Sequence, residues 1–92
     1  MNTILISYDL VGPETAADYT KVTTYIKKAT YWAKPLESLW LIKTTKSASA
    51  VRDDLKQITD GNDEILVLNV TGDGWATSNI SSKVTEWIRN NL

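Results

Sequence analysis

A chain with no histidine and no cysteine among its 92 residues must do any chemistry through carboxylates, hydroxyls and lysines. The carboxylate that stands out is Asp9. It closes the stretch ILISYDL, where an apolar run ends and a buried strand emerges into solvent. Asp9 can be read as a metal ligand, or as the polar end of a strand accepting hydrogen bonds from the loop Val11 to Thr15. Magnesium takes hard oxygen ligands, one or two carboxylates plus waters, so metal-assisted hydrolysis needs neither missing residue type. Ser38 could orient Asp9 or a cation-bound water, or be a turn residue after Glu37. Tyr8 could contact a base or hold Asp9, or be a half-buried sheet tyrosine whose hydroxyl reaches solvent.

Charge is unevenly spread. Between Lys21 and Lys46 six lysines stand against one acid, Glu37, a net +5, while the remainder holds four basic and ten acidic residues, a net −6. The overall charge of −1 argues against non-specific coating of nucleic acid. The basic segment, with Lys21, Lys28 and Lys34, is either a solvated set of outward faces or a patch for phosphate or an acidic partner surface. Trp32 and Trp40 could stack single-stranded RNA bases. They could equally be the aromatic cover of an open sheet face that a second copy buries. Gly72-Asp73-Gly74 lacks the lysine and spacing of a phosphate-binding loop and reads as a connection.

These residues need elements to hold them. Consecutive Ile4, Leu5 and Ile6 in the run Thr3 to Tyr8 predict a central strand. Val11-Gly12-Pro13 breaks it, and Tyr19, Val22, Tyr25 or Ile26, and Ala29 recur at helical spacing over about Thr15 to Ala29. Tyr31 to Lys34 and Ser38 to Thr44 read as a hairpin divided by Pro35-Leu36-Glu37. Thr45-Lys46-Ser47 offers caps for a helix from about Ala48 to Thr59, with Val51, Leu55 and Ile58 on one face. Asp60-Gly61-Asn62-Asp63 is a turn, Glu64 to Val70 an almost continuously apolar strand, and Ser81 to Leu92 a last helix carrying Val84, Trp87 and Ile88. The order predicts an α+β fold: a ferredoxin-like βαββαβ sandwich with a four-stranded antiparallel sheet and an extra C-terminal helix.

At this length residues 1–92 form one domain with one core, a size that gains from dimerisation. No apolar run approaches the roughly 20 residues that span a bilayer, and Met1-Asn2-Thr3 lacks the basic region of a signal peptide. A cytoplasmic protein that does not enter membranes is expected.

Three stretches, ILISYDL, PLESLWLIKT and SASAVRDDLKQITDGNDEILVLNV, together resemble the small ferredoxin-fold endoribonucleases that are CRISPR-associated and partner the CRISPR integrase, and their VapD and SinR-like relatives. The SinR-like members are closest in look, through PLESLWLIKT and a tryptophan-bearing C-terminal helix. In that family a Tyr-Asp pair ends the first strand, matched by Tyr8 and Asp9, and a Ser-apolar-aromatic motif opens the third, matched by Ser38-Leu39-Trp40. The resemblance implies a homodimer whose two Asp9 residues meet across the two-fold axis and hold one magnesium ion for phosphodiester cleavage. Departures from the pattern are also visible. The loop Leu10-Val11-Gly12-Pro13-Glu14 carries no basic residue, and no fifth strand is evident in Gly72 to Asn79. The alternative is a non-catalytic dimeric module that binds nucleic acid or a protein partner in a toxin–antitoxin or mobile-element defence system.

Overall fold

The computed structural model describes residues 1–11 and 16–92. The elements follow in the order β1 (Asn2–Asp9), α1 (Ala16–Lys27), β2 (Tyr31–Leu36), β3 (Leu39–Thr44), α2 (Ala48–Ile58), β4 (Glu64–Asn69) and α3 (Ser82–Asn91). The fold is α+β, with one four-stranded sheet in the order β2-β3-β1-β4, antiparallel at every junction.

The run of isoleucines and leucine places β1 inside the sheet, between β3 and β4. Its side chains alternate across the two faces. Ile4 and Ile6 are fully buried and join Val22 and Ile26 of α1, Trp40 and Ile42 of β3, and Val51 and Leu55 of α2 in the main core. Fully burying an aliphatic side chain of this size contributes roughly 1.5–3 kcal/mol. The helical spacing read from the sequence thus selects the right stripe on both helices. In α1 the stripe turns on Val22 and Ile26, leaving Tyr19 42 % exposed at its flank.

Local chemistry sets the boundaries. Ser47 caps α2, its hydroxyl accepting the Ala50 N–H, and Ser81 caps α3 by accepting the Val84 N–H. Caps of this kind contribute about 1 kcal/mol each. Asp63 closes the turn before β4: one carboxylate oxygen accepts the Asp60 N–H at 2.8 Å and the other the Val11 N–H at 2.8 Å, so the exit of β1 is tied to the entry of β4.

Two expectations change. β2 does not stop before Pro35 but runs through it to Leu36, because β2 lies at the sheet edge, where a missing donor costs no ladder bond. The register shifts between Ala33 and Leu36 as a bulge. The second sheet face is also not wholly free. Thr3, on the opposite side of β1 from Ile4, is fully buried and its hydroxyl donates to the Asn91 carbonyl of α3 at 2.5 Å. Ala33, Leu41 and Ile88 are buried outside the main core, so α3 covers the β2 and β3 side of this face. Beyond it Leu66 and Leu68 of β4 remain 54 % and 45 % exposed. The irregular chain from Thr71 to Ser81 turns at Gly72, whose φ of 72° suits a residue without a Cβ.

Candidate functional site

The sheet end formed by the exit of β1, the start of β3 and the start of β4 gathers the chemistry-bearing residues of the first motif. Asp9 is the last residue of β1 and is exposed. Ser38 lies in the turn just before β3, and its carbonyl accepts the Tyr8 N–H at 3.4 Å, so Ser38 sits beside the strand end that carries Asp9. Its side chain is exposed. The Val11 N–H is taken by Asp63, so this first donor of the loop does not serve Asp9. The rest of the loop, Gly12 to Thr15, lies outside the described residues.

Sequence reading missed Glu64. The β1–β4 register sets Asp9 directly opposite Glu64, with both residues exposed. Directly opposed residues share a face with Cβ atoms about 4.5–5.5 Å apart, and like charges so placed destabilise a sheet. A cation bridging the two carboxylates would remove that repulsion. Among the described residues no group of three or more His, Cys, Asp or Glu side chains suited to a metal exists. The signal in the sequence was only that an acid opens β4. Which residue faces it is decided by pairing between distant strands.

Tyr8 points to the other face, into the helix-covered side with Ile4 and Ile6. Its hydroxyl is not simply solvated: it accepts the Trp40 indole N–H at 3.3 Å, and its ring lies 6.5 Å from that of Tyr19. Trp40 and Trp32 share this face, which corrects the expectation that they cover the open one. Trp40 is opposite Ile6 and only 2 % exposed, and Trp32 is opposite Ile42. Their rings lie 5.6 Å apart and tilted by 57°. Trp32 remains 39 % exposed at the β2 edge. The Lys27 ammonium stands 5.2 Å from the centre of the Trp32 ring, and that of Lys34 5.2 Å from the centre of the Trp40 ring.

The four residues read as nucleic-acid contacts fall into two places. Tyr8 and Lys34 converge on Trp40. Lys21 and Lys28 lie on the opposite flank of α1, lining an open groove of about 670 Å³ with Tyr25 and Ile58. Lys21 also borders a cleft of about 250 Å³ shared with Asp18, Asp60 and Asp63. Beside the groove, Tyr25 donates to Asp54 at 2.6 Å and Lys46 bonds the same carboxylate oxygen. Burial, followed by the Asp54 bond, raises the Tyr25 phenol well above its ordinary value, while the bonds from Lys46 and then Tyr25 hold Asp54 below the usual carboxylate range. This is a structural clamp between the two helices.

Trp75 is exposed and Trp87 half-buried, the latter with its carbonyl accepting the Asn91 side-chain amide at 2.8 Å. No described helix is long and apolar enough to cross a membrane. No family model, curated protein or solved structure matches the chain.

Proposed function

We propose that this chain is a homodimeric ferredoxin-fold protein of the CRISPR-associated, VapD and SinR-like type, acting as a magnesium-dependent nuclease through the Asp9 end of its sheet. The observation that carries the reading is the register that sets Asp9 opposite Glu64. Both are hard oxygen donors, both are exposed, and together they meet the one or two carboxylates that magnesium takes beside its waters. Asp9 and Glu64 would hold the ion, with Ser38 positioned at the same strand end. When bound, such an ion lowers the pKa of water and polarises a phosphodiester oxygen. The strand order and the two-helix face are compatible with the ferredoxin-like arrangement. Dimerisation is supported by the uncovered aliphatic strip carrying Leu66 and Leu68, which runs beside Ser7 on the Asp9 face of the sheet. A second copy seated there adds its own Asp9 to the pair.

The test is cleavage of labelled RNA and DNA with magnesium or manganese. Asp9→Ala should lower the rate a hundredfold or more while the sedimentation of the protein is unchanged. Cleavage that survives the substitution removes Asp9 from the chemistry. A second reading, a binding module without catalysis, is favoured by the lysines gathered at the β2 edge. It predicts retained ligand and no turnover with any divalent ion.

A further inference from the structure

We propose that the β2 edge, where Trp32 is flanked by Lys27 and Lys34, is a docking surface for single-stranded nucleic acid. Trp32 is 39 % exposed, yet its ring is braced from below by Trp40, itself 2 % exposed. A ring fixed in this way presents a flat apolar surface at little cost in side-chain freedom. Each ring also has an ammonium group 5.2 Å from its centre, Lys27 at the exposed Trp32 and Lys34 at Trp40, carried on a long flexible stem. A base can replace an ammonium on the ring while the displaced lysine meets the neighbouring phosphate. The ring then trades the ammonium for a stacked base and the lysine trades the ring for a phosphate.

The occupant is narrowed by the edge itself. Pro35 and the bulge between Ala33 and Leu36 interrupt the backbone pattern that an added β-strand would need, so an extended peptide has no ladder to join. An acidic protein surface would use the lysines but not the exposed indole. A single strand uses both, stacking an unpaired base on Trp32 beside phosphates that Lys27 and Lys34 can meet. An opposing charge, Glu37, stands 3.7 Å from Lys34 with its side chain 97 % exposed. A pair this open is worth little and yields to phosphate. From Trp32 the aromatic line continues through Trp40 and Tyr8 to Tyr19, alongside the strand that ends at Asp9.

This surface requires no cation and stands independently of the cleavage reading, so binding is measured in EDTA. The probes are a labelled oligouridylate and an oligothymidylate of roughly a dozen nucleotides, within the span of one small binding domain. At low salt both should bind, with quenching of tryptophan fluorescence. Trp32→Ala should weaken binding about fivefold to a hundredfold, as loss of one stacked base does. Trp32→Tyr should retain most of the affinity, and Trp75→Ala all of it. Lys34→Gln should flatten the dependence of log K on log salt by about 0.7, one phosphate contact to a single strand. If Trp32→Ala unfolds, the Lys27→Gln Lys34→Gln double variant, checked by circular dichroism, carries the test through its salt slope. Absence of binding at low salt, binding indifferent to both Trp32 and the lysines, or equal affinity for polyglutamate overturns the proposal.

Discussion

The two edges of the sheet are built on opposite plans. β2 carries Pro35, a bulge, Lys34 and the exposed Trp32, all of which discourage another strand from adding. β4, with the sequence EILVLN, has no proline, no lysine and no bulge against β1, and its Leu66 and Leu68 face solvent. One edge is closed to backbone pairing and dressed for a charged ligand. The other carries none of these features and lies beside the exposed aliphatic strip of Leu66 and Leu68. The two proposals rest on that difference: a polyanion at β2, a second copy around β4.

The largest effect that would break this contrast lies beneath the β2 edge. Trp40→Ala removes the brace under Trp32 and opens the main core, and should cost about 3–5 kcal/mol in chemical denaturation. A loss below 1 kcal/mol would mean that Trp40 does not anchor the edge. Next comes β4. Leu66→Lys with Leu68→Lys adds the charges that edges normally carry, and should weaken the proposed dimer by about 3 kcal/mol or more, a hundredfold or more by sedimentation equilibrium. An unchanged association constant would separate the dimer from this strip.

Away from both edges, the Tyr25–Asp54–Lys46 clamp gives a control with its own pH signature. Asp54 titrates lower in the folded chain than its ordinary 3.8, so its contribution is present above that pH and is lost as pH falls through the folded value. Tyr25 is raised above its ordinary 10.0, so its contribution is full below pH 10 and is lost as pH rises beyond it. Asp54→Asn should therefore lower stability at neutral pH and flatten both flanks of the stability–pH curve, without altering dimerisation. The smallest effect is at the sheet end. Glu64→Gln should raise stability in EDTA by roughly 0.2–1 kcal/mol, by relieving the repulsion with Asp9. A decrease would show that the two carboxylates do not oppose each other.

Much of the fold was legible because local pattern and tertiary need agree. Ile4 and Ile6 announce an inner strand, Val51 and Leu55 the buried stripe of α2, and Ser47 its cap. What was not legible depends on pairing between distant segments. Period-two alternation says that Trp32 and Trp40 each face one side of the sheet. Only the register, with Trp40 opposite Ile6 and Trp32 opposite Ile42, decides that the side is the helix-covered one. The same holds for Glu64, whose position opposite Asp9 follows from the β1–β4 ladder and from Asp63 tying the turn to Val11. Lys21 and Lys34 belong to one basic segment in sequence, yet Lys21 on α1 lines the groove beside Tyr25 and Ile58 while Lys34 on β2 stands at the Trp40 ring.

The Asp9–Glu64 end is tested most directly by manganese titration followed through amide line broadening. The proposed site predicts selective broadening at Tyr8 to Leu10 and at Glu64 and Ile65, abolished in Asp9→Asn and unaffected in Asp54→Asn. Broadening centred on Asp18 and Asp60, or a pattern that Asp9→Asn leaves unchanged, would contradict it.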